Sequence, residues 1–503
     1  MDISGWIERW AGFTPNKTAI LFGDEKLSYL ALSERIRACA RGLGGPLGVR
    51  HGDRVAFLGF NSADFLVLMF ACARLGAMMV PLNWRLTPDE HAYMLDHARA
   101  SVLLVEPEFE AGVTGIRNRL GGCRMIRYGT TEDGWESFEE LLTAADGPDR
   151  DFCAGPDDPA LIVYTSGTTG RPKGAVLTQQ ALLFNAVNSV AAHDMTSSDV
   201  IFTNLPMFHV GGLNIQTTPA LHAGASVILH RRFVPDETVT TIRDHRPTLM
   251  ILVPAMMQAL IDDPAWPEID FSSLRCIVTG STTVPEKILR TYLERGIPII
   301  QVYGLTETAP IVIHQRISDA FDSAGSTGKV ALHCEVEIHG ADGTKLAPGE
   351  NGEIVVRGPN IMAGYWNDAD ATAEVMRDGW FYTGDVGYAE EDGNFHIVGR
   401  TKDVIISGSE NIYPSELEIP LDECPDIAEA AVVGRSDARW GEVPVACVVR
   451  RKGSAITKDQ VLALYNCRLA KYKHPHDVFF MDSLPQNVMG KILKFELRVA
   501  IES

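Results

Sequence analysis

The feature that most constrains the fold of this sequence is an alternation of short apolar runs with helix-patterned stretches over its first 400 residues. Helix-like spacing of apolar residues is seen, for example, at 29–43, 90–97 and 284–295. Strands that alternate with helices form largely parallel sheets with helices packed on their faces. The sequence therefore predicts an α/β fold with two layered sheets, whose buried strands include residues 55–58, 101–105, 160–164, 226–229, 249–253, 276–279 and 299–302.

The pattern changes twice towards the C-terminus. From about residue 330 the strands are shorter and partly alternating, with glycine-containing turns, which predicts a smaller β-rich subdomain at about 330–400. Beyond residue 400 the pattern reads β-hairpin, helix, strand, strand, helix, which is typical of a small α+β domain. We therefore expect an N-terminal domain over 1–400 and a small, mobile C-terminal domain over 401–503.

Composition narrows the classes of partner and compartment. The formal net charge of −20 opposes binding to nucleic acid. Nine scattered cysteines without a CxxC pair argue against a disulfide framework and a zinc site, and they favour a reducing, cytoplasmic location. The apolar stretch 65–82 contains Arg74, Gly76 and Pro81, so we interpret it as a buried helix and strand instead of a membrane span. Composition leaves a homodimer open.

The loop at 164–174 carries the strongest chemical signal. It reads Tyr-Thr-Ser-Gly-Thr-Thr-Gly-Arg-Pro-Lys-Gly and follows a predicted buried strand. Its glycines let backbone N–H groups approach an anion closely, its hydroxyls add donors, and Lys173 adds a charge suited to a polyphosphate. Pro172 before Lys173 excludes a Walker A loop. This loop predicts phosphate binding more strongly than it predicts a polar surface turn.

Three weaker clusters fit the same chemistry. At 303–308, Tyr303 offers a ring for a base, and Glu307 offers a carboxylate for Mg²⁺. At 382–385, Asp385 can accept both hydroxyls of a ribose, with Arg400 in support. Lys491 follows a glycine near the C-terminus. Taken alone, each cluster is more typical of an ordinary turn or surface feature.

Together these segments resemble the ordered core motifs of the acyl-adenylate-forming superfamily, which includes acyl-CoA synthetases, nonribosomal peptide adenylation domains and beetle luciferases. The resemblance rests on five motifs in order and covers essentially the whole chain. The motifs lie at 164–174, 303–308, 382–385, 399–416 and 485–491.

The resemblance implies a role for each matching residue. Lys491, Thr306 and Glu307 would be catalytic, with Glu307 and Thr165 at the Mg²⁺. Lys491 would bridge the substrate carboxylate and the α-phosphate. The residues expected to bind ATP or AMP are Thr165, Ser166, Gly167, Thr168, Thr169, Lys173, Gly280, Ser281, Tyr303, Gly304, Thr306, Asp385 and Arg400.

The same resemblance implies two half-reactions in one site, with ATP and CoA as co-substrates. Rotation of the C-terminal domain about a hinge at Lys402 would replace Lys491 by a loop that carries Ser407, Gly408 and Ser409. That loop would line the CoA channel. We further expect Lys471 and Lys473, part of a basic cluster at 450–473, to attract the CoA phosphates, although a solvated basic face is an equal alternative.

Three positions depart from the usual pattern or disturb a predicted element. Ser409 stands where the family usually has glycine, and Gln486 stands where it often has arginine. Pro420 falls inside the predicted helix at 415–424 and should kink or shorten it. None of these departures removes a catalytic group.

The segment 206–213 resembles the family segment that borders the acyl site. His209 would form a gate or wall, Gly211 and Gly212 would leave space beside it, and Ala309 and Pro310 would form an apolar floor. No arginine or lysine is evident in this pocket, and a second carboxylate would need one. This favours a hydrophobic monocarboxylate, either an aromatic acid such as ferulate or coumarate or a medium- to long-chain fatty acid.

The overall pattern is most similar to bacterial fatty-acyl-CoA and feruloyl-CoA synthetases, and the His-Val-Gly-Gly-Leu stretch also resembles o-succinylbenzoate–CoA ligases. We expect a free-standing acid–CoA ligase that releases pyrophosphate and then AMP. An enzyme that loads a carrier-protein thiol is the alternative. An inactive relative is disfavoured because the key charged residues are present, and an oxidoreductase is disfavoured because no GxGxxG follows a strand.

Overall fold

Two large sheets build most of the N-terminal part of this computed structural model. The structure describes residues 2–128, 135–144, 154–165, 172–280, 284–321, 326–407, 410–437, 439–466, 468–486 and 490–502. Among these residues, nine strands form the first sheet, in the spatial order Lys329–Val330, Ile313–His314, Ile299–Tyr303, Cys276–Thr279, Leu249–Ile251, Val200–Thr203, Ser226–Leu229, Thr18–Phe22 and Glu25–Ser28.

The second large sheet has eight strands within the described ranges. Its inner strands pair in parallel, and an antiparallel hairpin continues it at one side. The spatial order is Gly364–Tyr365, Lys173–Thr178, Pro159–Thr165, Met78–Pro81, Arg54–Leu58, Val102–Val105, Arg124–Arg127 and Glu136–Ser137. The predicted α/β class with two layered sheets is confirmed.

The helix Ala63–Leu75 belongs to a core shared by both sheets. Every residue from 65 to 75 is buried, and the helix packs in one apolar cluster with strand residues of the two sheets. Gly76, in the left-handed conformation at φ +65°, ends the helix, and the strand Met78–Pro81 follows at once. The apolar stretch is therefore a buried helix and strand, as its interrupted pattern predicts. Within the described ranges, no helix is both long enough and apolar enough to cross a membrane.

Two smaller sheets complete the chain. The strands Glu335–His339, Gly352–Arg357, Trp380–Ala389 and Met376–Arg377 lie side by side, with Phe395–Arg400 paired to Trp380–Ala389. After the turn Thr401–Asp403, a separate sheet is built from Glu410–Ile412, Ile405–Ser407, Gly441–Arg450, Ile427–Asp437 and Asp477–Met481.

Helices cover these sheets and connect their strands. In chain order the α-helices are Ser4–Phe13, Tyr29–Gly44, Ala63–Leu75, Pro88–Ala98, Glu110–Ile116, Phe138–Ala144, Gln179–Ala192, Val210–Gly212, Thr218–Ala223, Pro235–His245, Pro254–Ile261, Glu286–Leu293, Ala369–Val375, Pro414–Asp422, Lys458–Ala463 and Lys494–Glu502, with a π-helical segment at Leu213–Thr217. Pro420 lies inside Pro414–Asp422, which ends two residues before the predicted end at 424. The helix continues past the proline to Asp422 and is not divided by it.

Candidate functional site

Thr165 and Lys173 stand opposite each other at the loop end of one hairpin. Their backbones are register partners in the strands Pro159–Thr165 and Lys173–Thr178, and the Thr165 hydroxyl donates to the Lys173 carbonyl over 3.4 Å. The hairpin thus holds both predicted phosphate ligands at the edge of the site. Ser166, Gly167, Thr168 and Thr169 lie outside the described residues.

Tyr365 joins this hairpin to the predicted metal ligand. Its hydroxyl donates to Glu307 Oε1 at 2.8 Å, and the Lys173 ammonium lies 5.2 Å from the centre of its ring. Glu307 itself is only 8% exposed. Sequence reasoning missed Tyr365 because only the pairing of Gly364–Tyr365 with the strand Lys173–Thr178 brings it here. No local spacing indicates that pairing.

The predicted ribose ligands form one compact group. Asp385 and Arg400 are register partners on neighbouring antiparallel strands, and Arg400 Nε lies 2.8 Å from Asp385 Oδ1. The Tyr303 hydroxyl donates to Asp385 Oδ2 at 2.9 Å. The carboxylate is thereby fixed on both oxygens, next to the ring predicted to receive the adenine.

Two glycines next to Tyr303 allow close backbone packing. A Cβ atom at Gly304 would lie 1.4 Å from the Pro310 carbonyl oxygen, and one at Gly280 would lie 2.9 Å from the Val302 carbonyl oxygen. Thr306 and Glu307 follow in the single turn Thr306–Thr308, and Thr306 is buried. The turn can form only because no side chain stands at Gly304. Ser281 lies outside the described residues.

Lys491 reaches this group from the C-terminal sheet's side of the molecule. An antiparallel bridge between Gln486 and Ile492 closes the loop that carries it. Its side chain keeps access to solvent, but protein surrounds it closely enough that burial, with the Arg400 charge next, lowers its pKa to about 8. The Asp385 carboxylate opposes this shift. Lys491 therefore lies within electrostatic reach of Asp385 and Arg400, the predicted ribose-binding residues.

The predicted acyl wall lies beside a group of aromatic rings. Phe208 meets Trp84 edge-on at 6.4 Å, and Trp84 in turn packs against Phe60 at 4.7 Å and Phe109 at 6.4 Å between centroids. Burial, followed by the nearby Arg85 charge, lowers the pKa of His209 to about 4, so its imidazole is neutral at pH 7. His209 therefore offers a neutral hydrogen-bonding edge.

Two expectations about this pocket need correction. A cation is close by, because Arg85 stacks on Trp84 at 4.6 Å and acts electrostatically on His209. A Cβ atom at Gly212 would lie 2.3 Å from the Pro206 carbonyl oxygen, so this glycine is needed for packing within its own turn and does not leave open space. Gly211 is buried, and Ala309 and Pro310 lie directly after the Thr306–Thr308 turn.

The predicted CoA residues are only partly brought together. Ser407 ends the strand Ile405–Ser407, whereas Gly408 and Ser409 lie outside the described residues. Lys471 is exposed, but Lys473 forms an ion pair with Glu416 at 2.7 Å. Most of the basic cluster is paired in the same way, through carboxylates or backbone carbonyls at Arg450, Arg451, Lys458 and Arg468. This pairing supports a solvated face more than a free cationic surface.

The remaining predicted positions are Lys402, in the turn between the two parts of the chain, and Gln486, within residues 401–503. Lys402 lies in the turn Thr401–Asp403 and is exposed. The Gln486 amide donates to Glu429 at 3.0 Å, so it is held within the C-terminal unit. The residues that the structure describes contain no group of three or more His, Cys, Asp or Glu side chains that could hold a metal ion. A metal at Glu307 would therefore depend on ligands supplied by the substrate.

Comparison with known proteins identifies the family. Residues 7–366 match the family described as AMP-binding enzyme, and residues 416–491 match the AMP-binding enzyme C-terminal domain. The chain belongs to the AMP-binding enzyme family. The chain is 50% identical over 499 residues to the indoleacetate–CoA ligase of Aromatoleum aromaticum, covering 99% of this chain and 98% of that protein.

Two further relatives extend the comparison. The feruloyl-CoA synthase of an Amycolatopsis species is 43% identical over 496 residues, covering 99% of this chain and 98% of that protein. The solved o-succinylbenzoate CoA synthetase of Bacillus subtilis, in complex with its acyl-adenylate intermediate, matches with a TM-score of 0.87 at 32% identity. That match covers 98% of this chain and 97% of the solved chain.

Membership in the AMP-binding enzyme family confirms the predicted enzyme class. The protein is an AMP-forming acid–thiol ligase, and a small carboxylic acid, ATP and CoA are the substrates of this class. The individual site residues stay predictions. Contacts join Lys173 and Glu307 through Tyr365, and Tyr303 and Arg400 through Asp385. The Arg400 charge acts electrostatically on both Glu307 and Lys491.

Proposed function

We propose that this enzyme converts an aromatic carboxylic acid to its CoA thioester in two half-reactions. The observation that carries the proposal is the 50% identity, over nearly the whole of both chains, to an indoleacetate–CoA ligase. In the first half-reaction a carboxylate oxygen of the acid attacks the α-phosphorus of ATP, and pyrophosphate leaves. In the second, the CoA thiolate attacks the acyl carbon of the adenylate, and AMP leaves.

The aromatic rings beside His209 support an aromatic substrate. Phe60, Trp84, Phe109 and Phe208 present edges and faces near the predicted acyl wall. An aromatic pair contributes about 0.5–1.5 kcal/mol beyond its area burial, so a ring that joins this group gains more than an alkyl chain of equal area. We infer an arylacetic or cinnamic type of acid in preference to a fatty acid.

The nucleotide residues divide the work of adenylation. Asp385, held by Arg400 and Tyr303, binds the ribose hydroxyls, and Lys173 with the loop after Thr165 binds the phosphates. Thr306 contacts the α-phosphate, while the Lys491 ammonium stabilises the negative charge that develops there. No side-chain nucleophile is required, because the substrate carboxylate supplies the attacking oxygen.

Glu307 and Thr165 fit a Mg²⁺ that is held mainly by the phosphates of ATP. The ion usually takes one or two protein carboxylates together with phosphate oxygens, and Glu307 is one such buried carboxylate. Bound there, the ion would neutralise charge on the phosphates. Tyr365 orients the carboxylate that would hold it.

For the second half-reaction we propose that residues 401–503 rotate as a unit about Lys402. The turn Thr401–Asp403 separates strands of two different sheets, which makes it a natural hinge. Rotation would withdraw Lys491 and bring in Ser407 with the loop that follows it. The domain boundary near residue 400 is part of this proposal.

A diacid is the second candidate, because Arg85 lies beside His209. A second carboxylate at the far end of the acid would find its countercharge there. This candidate corresponds to an acid of the o-succinylbenzoate type. Replacement of Arg85 by methionine keeps an unbranched apolar stem against Trp84 and removes the charged guanidinium, so it separates the two candidates.

The test is a pyrophosphate-release assay with ATP and Mg²⁺, with and without CoA. The acids are indoleacetate, phenylacetate, ferulate, benzoate, 2-succinylbenzoate, decanoate and malonate. We expect the highest kcat/KM with an aromatic monoacid, CoA-dependent AMP release, and little effect of Arg85→Met on that acid. A preference for 2-succinylbenzoate that Arg85→Met removes would establish the diacid instead. A preference for decanoate, or adenylation without CoA turnover, would contradict the proposal.

A further inference from the structure

Asn61 joins the two large sheets at the ends of their strands. It follows the strand Arg54–Leu58 of one sheet and is 3% exposed. Its side-chain nitrogen donates to the Leu205 carbonyl at 2.8 Å and to the His230 carbonyl at 3.1 Å. Its side-chain oxygen accepts from the Met207 N–H at 2.8 Å. Leu205 and His230 follow two strands of the other sheet.

These contacts fix the orientation of the amide. Its NH₂ group donates to two carbonyl oxygens, and its side-chain oxygen accepts from one N–H. If the amide were inverted, its oxygen would face the two carbonyl oxygens and its NH₂ group would face the N–H. The Asn61 backbone N–H adds a fourth bond, to the Arg231 carbonyl at 3.2 Å. Asn61 therefore specifies one geometry for the segment 205–207.

The clamped segment leads directly to the predicted acyl wall. The His209 N–H donates back to the Pro206 carbonyl at 3.3 Å, and Gly212 packs against the same carbonyl. The two residues between the clamp and the helical turn Val210–Gly212 are Phe208 and His209. A shift of the segment 205–207 would therefore move the ring of Phe208 and the imidazole of His209.

We propose that Asn61 is a positioning residue for the acid-binding pocket, acting through Leu205 and Met207 to set the place of Phe208 and His209. The inference rests on the proposed role of His209 in the acyl pocket. Two of the three side-chain hydrogen bonds of Asn61 hold the segment 205–207, and the third holds the His230 carbonyl at the end of a neighbouring strand. The nucleotide residues Tyr303, Asp385 and Lys173 belong to other segments.

Asn61→Asp is the sharpest test because it keeps the shape of the side chain. It replaces the two N–H donors by a carboxylate oxygen that faces two carbonyl oxygens. Asn61→Ser, which leaves only a small hydroxyl, is the second variant and is used if Asn61→Asp folds poorly. The readout is the ratio of kcat/KM for two acids of different ring size, such as indoleacetate and phenylacetate, measured with ATP and CoA in excess. This ratio does not depend on the fraction of folded enzyme.

A positioning role predicts that the ratio shifts by about threefold or more, and that kcat/KM for the acid falls by about tenfold, with the KM for ATP nearly unchanged. Ser62→Ala is the matched control: Ser62 caps the next helix by accepting from the Phe65 N–H at 3.1 Å, so its loss lowers stability without touching the clamp. Its ratio should equal that of the wild type.

An unchanged acid ratio in both Asn61 variants would overturn the proposal and leave Asn61 a purely structural residue. A rise in the KM for ATP as large as the fall in kcat/KM for the acid would also overturn it. The acid pair is drawn from those that the wild type adenylates. The comparison therefore remains valid if the preferred acid is not aromatic, and failure of the proposed substrate class is seen separately in the wild type.

Discussion

At the residue scale, Tyr365 links two charged residues, Glu307 and Lys173, that we propose act on the same triphosphate. Its hydroxyl holds Glu307 while its ring faces the Lys173 ammonium. A carboxylate that accepts a hydrogen bond from a fixed hydroxyl keeps one oxygen oriented, which leaves the other for a metal. Tyr365 is thus placed to set the geometry of Mg²⁺–ATP binding without contacting the reacting atoms.

Tyr365→Phe removes only this hydroxyl. Loss of one hydrogen bond to a charged group costs about 1.5–3 kcal/mol, so we expect a tenfold or greater rise in the Mg²⁺ concentration that half-saturates adenylation. Titration of Mg²⁺ at fixed ATP measures it. The control is Tyr29→Phe, which removes a buried hydroxyl that donates to the Ala225 carbonyl at 2.7 Å, far from the site. Equal Mg²⁺ curves for the wild type and Tyr365→Phe would refute this role.

Lys491 gives the first half-reaction a characteristic pH dependence. Its pKa is lowered to about 8, so the stabilising cation is present below that pH and is lost as the pH rises through it. We expect kcat/KM for adenylation to fall on the alkaline side with an apparent pKa near that value. Thioester formation from supplied acyl-adenylate should not share this fall. A kcat/KM for adenylation that stays constant up to about pH 9.5 would show that Lys491 is not the titrating group.

At the scale of elements, the turn after the strand Ile299–Tyr303 depends on the absence of a side chain. Gly304→Ala would force a Cβ atom into the Pro310 carbonyl, and this backbone overlap cannot be relieved by a rotamer change. We expect a loss of about 3 kcal/mol or more of stability and loss of ATP binding. Thermal denaturation with and without ATP measures both effects.

Gly12→Ala provides the contrast to this variant. A Cβ atom at Gly12 meets nothing within 4 Å, and the residue lies in the helix Ser4–Phe13. Alanine is favoured over glycine in a helix by roughly 1 kcal/mol, so this variant should be as stable as the wild type or slightly more so. Equal melting temperatures of Gly304→Ala and Gly12→Ala would contradict the packing argument.

The elements also show what a sequence can reveal. Local patterns predicted the buried helix Ala63–Leu75 and the strand after it, because burial on all sides and a terminating glycine leave local signals. They also singled out the loop at 164–174 and the segment 303–308 as candidate binding segments, although they did not indicate that Thr165 and Lys173 pair in a hairpin. Tyr365 was missed because its role comes from pairing with Ala175, a contact between distant parts of the chain.

At the scale of the whole molecule, the site forms where separate sheets converge. The two large sheets supply the hairpin and the strand that carries Tyr303. The smaller sheet around the strand Trp380–Ala389 supplies Asp385 and Arg400, and residues 401–503 supply Lys491. Motif order predicted this set of residues, but not the cation near His209 or the pairing of Lys473. Both the approach of Arg85 to His209 and the pairing of Lys473 with Glu416 depend on contacts between distant segments, and the spacing of residues within one motif does not indicate such contacts.

We propose that the arrangement of this structure, in which Arg400 and Asp385 act electrostatically on Lys491, is the one that carries out adenylation. The most direct test compares Lys491→Ala with the wild type in the two half-reactions separately. Adenylation is followed by pyrophosphate release, and thioester formation by the reaction of supplied indoleacetyl-adenylate with CoA. We predict that adenylation falls by at least about 100-fold while thioester formation stays within about threefold of the wild type. An equal loss of both half-reactions, or no loss of adenylation, would contradict the account.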